Sequence, residues 1–232
     1  MISVCMATYN GEKFIRQQLS SILSQLELND EVIIVDDVSK DGTVGIIRGF
    51  EDERIKLISN SHNIGPVKSF EKALWESKGD IIFLSDQDDV WMPNKVGSVV
   101  SSFNKNNSDL VVHDATVTDI DLKSMADSWN RYNKNKFVNW IMTLVKNPFT
   151  GANMAFNRRV LNRALPFPTN IPMHDWWIGI VCQKLSMNID IIHKPLILYR
   201  RHGNNVTGGR HELKKMFVNR LHLYSDLSGV NK

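Results

Sequence analysis

Cysteine is scarce in this 232-residue chain, where Cys5 and Cys182 are the two examples and both stand among apolar neighbours. A disulfide framework is therefore not expected, and a reducing cytosol suits the chain better. No apolar run reaches about eighteen residues, the length that a transmembrane helix requires. No basic segment precedes the strand-like residues 2–7 either, so no secretory signal is predicted and we expect a cytoplasmic protein.

Two glycine-rich phosphate motifs are also absent. Neither G-x-G-x-x-G after the first predicted strand nor G-x-x-x-x-G-K-[ST] occurs, which excludes the usual dinucleotide fingerprint and the P-loop. A bound phosphate would then be held by a metal ion and by scattered basic side chains or backbone N–H groups. Lys68 is one such candidate, although a lone lysine on a helix is usually solvated surface.

What the chain does have is an ordinary globular composition and an uneven distribution of charge. Hydrophobic residues make up 42% and charged residues 23%, which suits a soluble domain with a substantial core. Residues 1–100 carry 10 Lys/Arg and 16 Asp/Glu, whereas residues 101–232 carry 18 and 9. An acidic half followed by a basic half suggests a cation on one side and an anion on the other, although solvated surface charge gives the same pattern.

The first hundred residues alternate two periodicities. Short runs rich in Val and Ile predict buried strands at residues 2–7, 31–36, 55–60 and 80–85. Between them, apolar residues recur at steps of three and four, which is typical of helices. This alternation predicts an α/β fold with a Rossmann-like, mostly parallel sheet flanked by helices. In such sheets, ligands bind beyond the carboxyl ends of the strands.

The rhythm changes after residue 107. The predicted elements are strands at 110–120, 151–156 and 189–199 and helices at 137–145 and 174–186. This pattern indicates a mixed extension of the same sheet rather than an independent domain. We therefore divide the chain into a first half at 1–107, a second half of the same domain at 108–207, and a C-terminal amphipathic helix within 208–232.

Three aspartates crowd the end of the fourth predicted strand, in the sequence FLSDQDDVW at residues 83–91. Carboxylates this close repel one another unless they are solvated or share a cation. Hard divalent cations take carboxylate oxygens, and Mg²⁺ usually uses one or two of them together with phosphate oxygens and water. Asp86 and Asp88 can face one small volume past the strand end, which favours a cation site, although D-x-D also occurs by chance in surface turns.

A second acidic segment, VDDVSKDGT, follows the second predicted strand. Its tail suits turns and helix caps, but Asp36 continues a buried strand and needs a partner. The imide N–H of a nucleobase is one candidate. Tyr9, at the end of the first predicted strand, would offer a stacking face to a base or ribose, or it would simply plug the edge of the sheet.

Taken together, these segments resemble glycosyltransferase family 2, the inverting enzymes with the GT-A fold. The likeness covers about residues 2–207 and rests on ISVCMATYNGEKFIRQQLSSILSQ, EVIIVDDVSKDGT, HNIGPVKSFEKAL, GDIIFLSDQDDVWMPNKV, FTGANMAFNRR, MHDWW and LYRRHGNNVTG. The wording of SDQDDVW, HDWW and YRRHGNNVTG is similar to the branch that builds bacterial surface polysaccharides and includes rhamnosyltransferases.

The resemblance implies a set of site residues by position. Those expected at the nucleotide are Ala7, Thr8, Tyr9, Asp36, Lys68 and Asp86. Asp86 and Asp88 match the D-x-D motif that holds Mn²⁺ or Mg²⁺ on the diphosphate, and His202 falls where some members place a further metal ligand. Asp175 falls where the family carries its general base. Many members have Glu-Asp there, whereas this chain has His174-Asp175, which leaves the role of His174 open.

The implied activity is metal-dependent transfer of a sugar from dTDP-rhamnose or a UDP-hexose to a glycan or lipid-linked acceptor. Residues 1–107 would bind the donor, and residues 108–207 would form the acceptor side. A sugar-1-phosphate nucleotidyltransferase and a non-catalytic sugar-nucleotide or glycan-binding protein remain as alternatives. At single residues, Asp175 could instead cap its helix, and His202 could be a plain loop histidine.

The C-terminal residues predict a basic amphipathic helix at about 211–227. Residues 195–232 carry seven Lys/Arg against two Asp/Glu, and Leu213, Met216, Phe217, Leu221 and Tyr224 recur at helical spacing. The helix could pack on the domain, or it could lie at an anionic leaflet and hold a soluble enzyme near a lipid-linked acceptor.

Overall fold

A computed structural model of the chain describes residues 1–203 and 213–230, with the side chains of the last helix described from Val218 onward. The strands are β1 (Ile2–Thr8), β2 (Glu31–Asp36), β3 (Ile55–Ser59), β4 (Ile81–Ser85), β5 (Val90–Trp91), β6 (Leu110–Thr118), β7 (Ser124–Ala126), β8 (Met154–Asn157) and β9 (Ile189–Arg200). The helices are α1 (Ile15–Leu23), α2 (Thr43–Arg48), α3 (Gly65–Glu76), α4 (Lys95–Asn106), α5 (Trp129–Tyr132), α6 (Trp140–Val145), α7 (Arg158–Ala164), α8 (His174–Lys184) and α9 (Leu213–Ser228).

These strands form one sheet in the order β3-β2-β1-β4-β8-β6-β9-β5, with β7 paired to β6. The first four strands are mutually parallel. Antiparallel β8 joins β4 to β6, β6 runs parallel to β9, and the short β5 pairs antiparallel with β9. The predicted α/β architecture with a mixed extension of the sheet is therefore confirmed.

Both faces of the sheet are covered, because successive side chains of a strand point to opposite faces. Cys5, Ile33 and Leu84 belong to one buried cluster. Their strand neighbours Val4 and Phe83 belong to another. Both cysteines of the chain are buried free thiols, as the sequence predicts.

Element boundaries differ from the prediction at two places that matter for the site. The strand expected at 151–156 begins with a 3-10 turn, Gly151–Asn153, and the strand proper starts at Met154. The helix expected from residue 137 begins at Trp140, because the side chain of Asn139 accepts the backbone N–H of Met142 and caps the helix there.

The last helix packs on the domain with part of its surface. Leu223 and Leu227 are buried, and the Arg220 guanidinium donates to the carbonyl oxygens of Leu144 and Val145 at the end of α6. Segment 204–212 and the side chains of residues 213–217, which include the predicted apolar positions Leu213, Met216 and Phe217, lie outside the described residues. Among the described helices, none has both the length and the apolar character needed to cross a bilayer.

Candidate active site

A cavity of about 710 Å³ opens beyond the carboxyl ends of β1 and β4. Its wall comes from the loops after β1, β2 and β4, from the turn Gly151–Asn153 and from the start of α8. The predicted site residues that line it are Ala7, Thr8, Tyr9, Asp86, Asp88, Asp175 and His202. The sheet thus brings together residues from both halves of the sequence, whereas Asp36 and Lys68 are not among the lining residues.

The loop after β1 is tied to the loop after β2 by hydrogen bonds. The backbone N–H of Asn10 donates to Ser39 Oγ at 2.9 Å, and that of Gly11 donates to Thr43 Oγ1 at 2.8 Å. Between Tyr9 and the loop after β4, Gln87 forms a paired link, since its Oε1 accepts from Tyr9 N–H at 2.9 Å and its Nε2 donates to Tyr9 O at 3.1 Å. These contacts fix the floor of the cavity before any ligand enters.

Asp36, the last residue of β2, and Asp37, the residue after it, have different surroundings. Asp36 is buried below the cavity, where its carboxylate accepts from the hydroxyls of Thr8 and Ser39. Asp37 lines the cavity wall, and its carboxylate accepts the backbone N–H groups of Ile64 and Gly65 at the start of α3. Asp36 therefore has protein partners, and its role toward a nucleobase remains a prediction.

Two other predicted nucleotide residues differ in position. Tyr9 is an exposed aromatic ring at the cavity mouth, where a face is available for stacking. Lys68 lies on α3 and forms an ion pair with Glu71 at 2.6 Å. To meet a phosphate in the cavity, Lys68 would have to leave Glu71.

Asp86, Asp88 and Asp89, here called the acidic cluster, each offer an oxygen, and the three oxygens lie within 4.8 Å of one another. Burial raises the pKa of Asp86 to about 7, and the charges of Asp88 and Asp175 add to the effect. Burial, followed by the charges of Asp88 and Asp86, also raises the pKa of Asp89 well above its ordinary value. The ionised cluster is thus unfavourable unless positive charge is added.

The acidic cluster fits a divalent cation. Asp89 is 1% exposed, and its Oδ2 has no hydrogen-bond partner within residues 1–203 and 213–230. A buried carboxylate oxygen without a donor is costly, and hard cations such as Mg²⁺ and Mn²⁺ prefer oxygen ligands of this kind. Asp86, Asp88 and Asp89 would be its carboxylate ligands.

The end of β9 reaches back to the acidic cluster. Arg200 donates its backbone N–H to Asp89 Oδ1 at 3.0 Å and its Nε to the backbone oxygen of Asp88 at 2.8 Å. Two residues on, His202 Nε2 lies 2.7 Å from Asp88 Oδ2, and its ring stacks on Phe14. His202 thus lies beside Asp88, and its role as a metal ligand stays a prediction, whereas Arg200 supports the backbone of the loop.

Asp175 lies in the first turn of α8, across the cavity from the β1 loop. Its Oδ2 accepts the N–H of Gly151 at 3.0 Å, and its Oδ1 accepts the N–H of Trp176 at 2.6 Å. Burial raises its pKa to about 6, against the opposing effect of these hydrogen bonds. Met173 occupies the N-cap position of α8, so Asp175 is not the N-cap residue.

His174 is buried beside it, with its ring stacked on Phe70 at 4.0 Å between centroids. Burial lowers its pKa to about 3, so it is neutral at physiological pH. Neither ring nitrogen has a hydrogen-bond partner among the described residues. A neutral imidazole does not replace the charge of the glutamate that the resemblance associates with this position.

Several site residues were not singled out from the sequence. Asp89 stands in the same motif beside Asp86 and Asp88, and its burial together with its unpartnered Oδ2 suggests a third carboxylate ligand among the described residues. Asp37 follows the strand end by one residue, and no pattern indicates which of two adjacent aspartates faces outward. Gln87 holds the backbone of Tyr9, a role that leaves no signal in composition or spacing.

Comparison with known proteins agrees with this geometry. The model of the family "Glycosyl transferase family 2" matches residues 3–165. A UDP-Glc:alpha-D-GlcNAc-diphosphoundecaprenol beta-1,3-glucosyltransferase, WfgD of Escherichia coli, is 36% identical over 107 residues, which are 46% of this chain and 42% of the relative. The dTDP-rhamnosyl transferase RfbG of Shigella flexneri is 25% identical over 226 residues, covering 91% of this chain and 76% of the relative. The match to WfgD thus spans less than half of that protein.

Solved structures show the same fold. S. aureus TarS 1-349 in complex with UDP-GlcNAc superposes with a TM-score of 0.77 at 17% identity, over 100% of this chain and 67% of TarS 1-349. Mannosyltransferase PcManGT from Pyrobaculum calidifontis, in complex with GDP-Man and Mn²⁺, gives a TM-score of 0.67 at 17% identity, over 100% of this chain and 76% of that one. The expected GT-A fold is confirmed, and the chain belongs to glycosyltransferase family 2.

Proposed function

We propose that the chain is a divalent-cation-dependent, inverting glycosyltransferase of bacterial surface polysaccharide synthesis. Its donor would be dTDP-rhamnose or a UDP-hexose, and its acceptor a glycan or a lipid-linked sugar. The observation that carries this proposal is one cavity lined by Asp86 and Asp88 of the acidic cluster and by Asp175. The names of WfgD and RfbG, which act with UDP-Glc and as a dTDP-rhamnosyl transferase, support the choice of donors.

The reaction would be a single displacement at the anomeric carbon. A Mn²⁺ or Mg²⁺ ion at the acidic cluster would supply positive charge to the departing diphosphate. The acceptor oxygen bonds to the anomeric carbon, the bond from that carbon to the diphosphate oxygen breaks with its electron pair leaving on the diphosphate, and the acceptor proton moves to Asp175. At its pKa of about 6, Asp175 is ionised at neutral pH and is a stronger base than an ordinary carboxylate.

Asp175 is held for this task by two backbone donors. The N–H groups of Gly151 and Trp176 fix both carboxylate oxygens, and a fixed base loses little entropy when the acceptor arrives. Gly151 has no side chain, and a Cβ there would lie 3.0 Å from His174 Nε2. The small residue therefore permits the turn to approach α8 closely enough to donate to Asp175.

The nucleoside would bind along the end of β1. Ala7, Thr8 and Tyr9 form that part of the wall, and the exposed Tyr9 ring would stack on the base or ribose. Asp36 keeps its proposed role at the pyrimidine imide, with Asp37 as the neighbouring carboxylate that faces the cavity. The hydrogen bonds that join the β1 and β2 loops would hold this wall in place before binding.

A donor panel tests the proposal. The chain is incubated with Mn²⁺ and, separately, dTDP-rhamnose and several UDP-hexoses, and released nucleoside diphosphate is measured with and without chelator. We expect release from one donor class, lost on chelation. If donors bind but no nucleoside diphosphate is released, with or without added acceptor, a non-catalytic binding protein is favoured. Pyrophosphate release from a sugar 1-phosphate and a nucleoside triphosphate would favour a nucleotidyltransferase.

We also propose peripheral contact with an anionic membrane through α6 and α9. Ile141, Met142 and Val145 of α6 are exposed, as are Leu221 and Tyr224 of α9, and the two helices meet at Arg220. Residues 129–147 contain four Lys/Arg and no Asp/Glu. Exposed apolar side chains framed by basic ones fit an anionic leaflet.

Vesicle sedimentation tests this contact. The unmodified chain should bind vesicles that contain an anionic phospholipid, and salt should weaken the binding. The double variant Ile141→Gln/Tyr224→Gln should bind less. Leu28→Gln is the matched control, because Leu28 is exposed elsewhere on the molecule. An equal loss in the control, or no binding at low salt, would leave α9 as a packed helix alone.

A further inference from the structure

Lys95 occupies a position that is unfavourable for a lysine on two counts. Its side chain is 0% exposed, although lysine is almost never fully buried unless it is paired. It is also the first residue of α4, where the helix dipole disfavours positive charge. Such a conflict between local preference and structure is expected at a functional site.

The ammonium group of Lys95 has specific partners. Its Nζ donates to Ala152 O at 2.9 Å and lies 4.1 Å from the centre of the Trp91 ring. Burial lowers the pKa of Lys95 to about 7, whereas the charges of Asp89 and Asp86 act in the opposite direction. Lys95 therefore lies close enough to the acidic cluster to feel its charge, on the side away from solvent.

The carbonyl that Lys95 binds belongs to the turn that holds the base. Ala152 is the middle residue of Gly151–Asn153, and Gly151 donates its N–H to Asp175 Oδ2 at 3.0 Å. Two hydrogen bonds and one short turn thus connect Lys95 to Asp175. The buried side chain of Lys95 therefore links the acidic cluster to the turn that holds Asp175.

We propose that Lys95 is a positioning residue, which acts as a resident counter-cation of the acidic cluster and holds the turn Gly151–Asn153, and with it Asp175, in register with the cation site. This proposal rests on the proposed function. The positive charge of Lys95 near Asp86 and Asp89 offsets the repulsion among the carboxylates while no divalent cation is bound. It also weakens the binding of an incoming cation, which allows the cation to leave again.

The test compares Lys95→Met, Lys95→Gln and the control Lys105→Met. Methionine has nearly the length of lysine without the charge or the donor. Lys105 is an exposed lysine on the same helix, so its substitution changes net charge equally at a distance from the cluster. Melting temperature is measured with and without Mn²⁺, Mn²⁺ affinity by calorimetry, and kcat and donor KM by nucleotide release.

For Lys95→Met we expect a lower melting temperature without Mn²⁺, a larger rise on adding Mn²⁺, and Mn²⁺ binding about tenfold tighter, because a competing charge has been removed. The kcat should fall about 10–10²-fold with donor KM little changed, as expected when the base is misplaced by a fraction of an ångström. Lys105→Met should match the unmodified chain in every measurement.

A purely structural role gives a different result, with a melting temperature that falls equally with and without Mn²⁺ and with Mn²⁺ binding unchanged or weaker. Either finding, or an unchanged kcat, would overturn the proposal. If Lys95→Met does not fold, Lys95→Gln is held to the same criteria. An unmodified chain whose melting temperature does not respond to Mn²⁺ would overturn the cation site itself, and with it both proposals.

Discussion

Two acidic loops of the first half, each at the end of a parallel strand, differ in how far the protein supplies hydrogen-bond donors to their carboxylates. In the loop after β2, the carboxylates of Asp36, Asp37 and Asp41 accept hydrogen bonds from hydroxyls and backbone N–H groups. Burial would raise the pKa of Asp41, but donors from Thr43 and Glu12 hold it below its ordinary value. In this loop, the protein itself supplies the hydrogen-bond donors that the carboxylates need.

In the loop after β4, Asp89 Oδ1 accepts the N–H of Arg200 and Asp88 Oδ2 lies beside His202 Nε2, but the donors do not cover every carboxylate oxygen. Burial raises the pKa of Asp86 to about 7, and Asp89 Oδ2 has no partner in the described part of the chain. The comparison teaches that a cluster of aspartates indicates a cation site only where the protein leaves it short of donors. Asp175 is intermediate, since two N–H groups serve it and its pKa is nevertheless raised.

The largest expected effect would show whether this intermediate carboxylate is a base. Asp175→Asn should lower sugar transfer about 10²–10⁴-fold while nucleotide binding is kept, because the amide has the same size but accepts no proton. In the unmodified chain, transfer should rise with pH through about 6. Rates are measured by nucleotide release across pH 5–8, the range around that value. Asp190→Asn, remote from the cavity, is the control, and near-normal transfer by Asp175→Asn would remove its catalytic role.

The next effect separates the two loops directly. Asp88→Asn should weaken Mn²⁺ binding by at least about 10–100-fold, since the loss of a residue that merely supports a metal ligand already costs that much. Asp37→Asn should leave Mn²⁺ affinity unchanged but reduce the free energy of unfolding by about 1–3 kcal/mol, because an amide cannot accept both N–H groups of α3. Calorimetry with Mn²⁺ and urea unfolding give the two quantities. If Asp37→Asn lost Mn²⁺ as well, the distinction between the loops would fail.

A smaller effect concerns stability and pH. Asp175 has a folded-state pKa raised above its ordinary value of 3.8 to about 6, so its contribution to stability is complete at low pH and is lost as pH rises through about 6, on the order of 3 kcal/mol. Asp41, whose pKa is lowered, contributes in the opposite sense and loses its contribution as pH falls. The free energy of unfolding is measured with urea across pH. Asp175→Asn should flatten its dependence on pH on the high-pH side, and Asp41→Asn should flatten it on the low-pH side. The same change of slope in both variants would contradict these assignments.

The smallest effect lies in the loop after β2. Val38 has φ of 68°, a left-handed conformation that costs a β-branched residue about 1–2 kcal/mol. Val38→Gly should therefore raise the melting temperature by about 2 °C without changing Mn²⁺ affinity. Val44→Gly, the same substitution inside α2, should lower it. A lower melting temperature for Val38→Gly would mean that side-chain packing outweighs the strain.

Much of the first half could be predicted from the sequence because its signals are local. Short β-branched runs between helical patterns determine β1 to β4, and the rule that ligands bind beyond the strand ends then locates the acidic cluster. Asp86 and Asp88 were predicted for this reason. Asp175 and His202 were reached through the resemblance, since no local pattern connects them to residues far earlier in the chain.

What could not be predicted depends on long-range contacts. The burial of Lys95 cannot be read from the segment PNKV, which looks like an ordinary exposed helix start. The strand β5 is two residues long and exists only because β9 pairs with it. The same holds in part for Asp36 and Asp37, because Thr8 donates to Asp36 and the start of α3 donates to Asp37, although Ser39, near Asp36 in sequence, also donates to it.

The pairing of β5 with β9 has a consequence for the order of assembly. Val90 lies opposite Leu198 and Trp91 opposite Ile197, so the loop that carries the acidic cluster is closed at its far end by residues more than a hundred positions later. Contacts this distant in sequence are slow to form, because the loop-closure entropy must be lost first. During synthesis, a ribosome-bound chain that stops before β9 would already contain β1 to β4 but could not yet close the cation site. Metal binding would then appear only in the last step of maturation, as a sign that the whole sheet is complete.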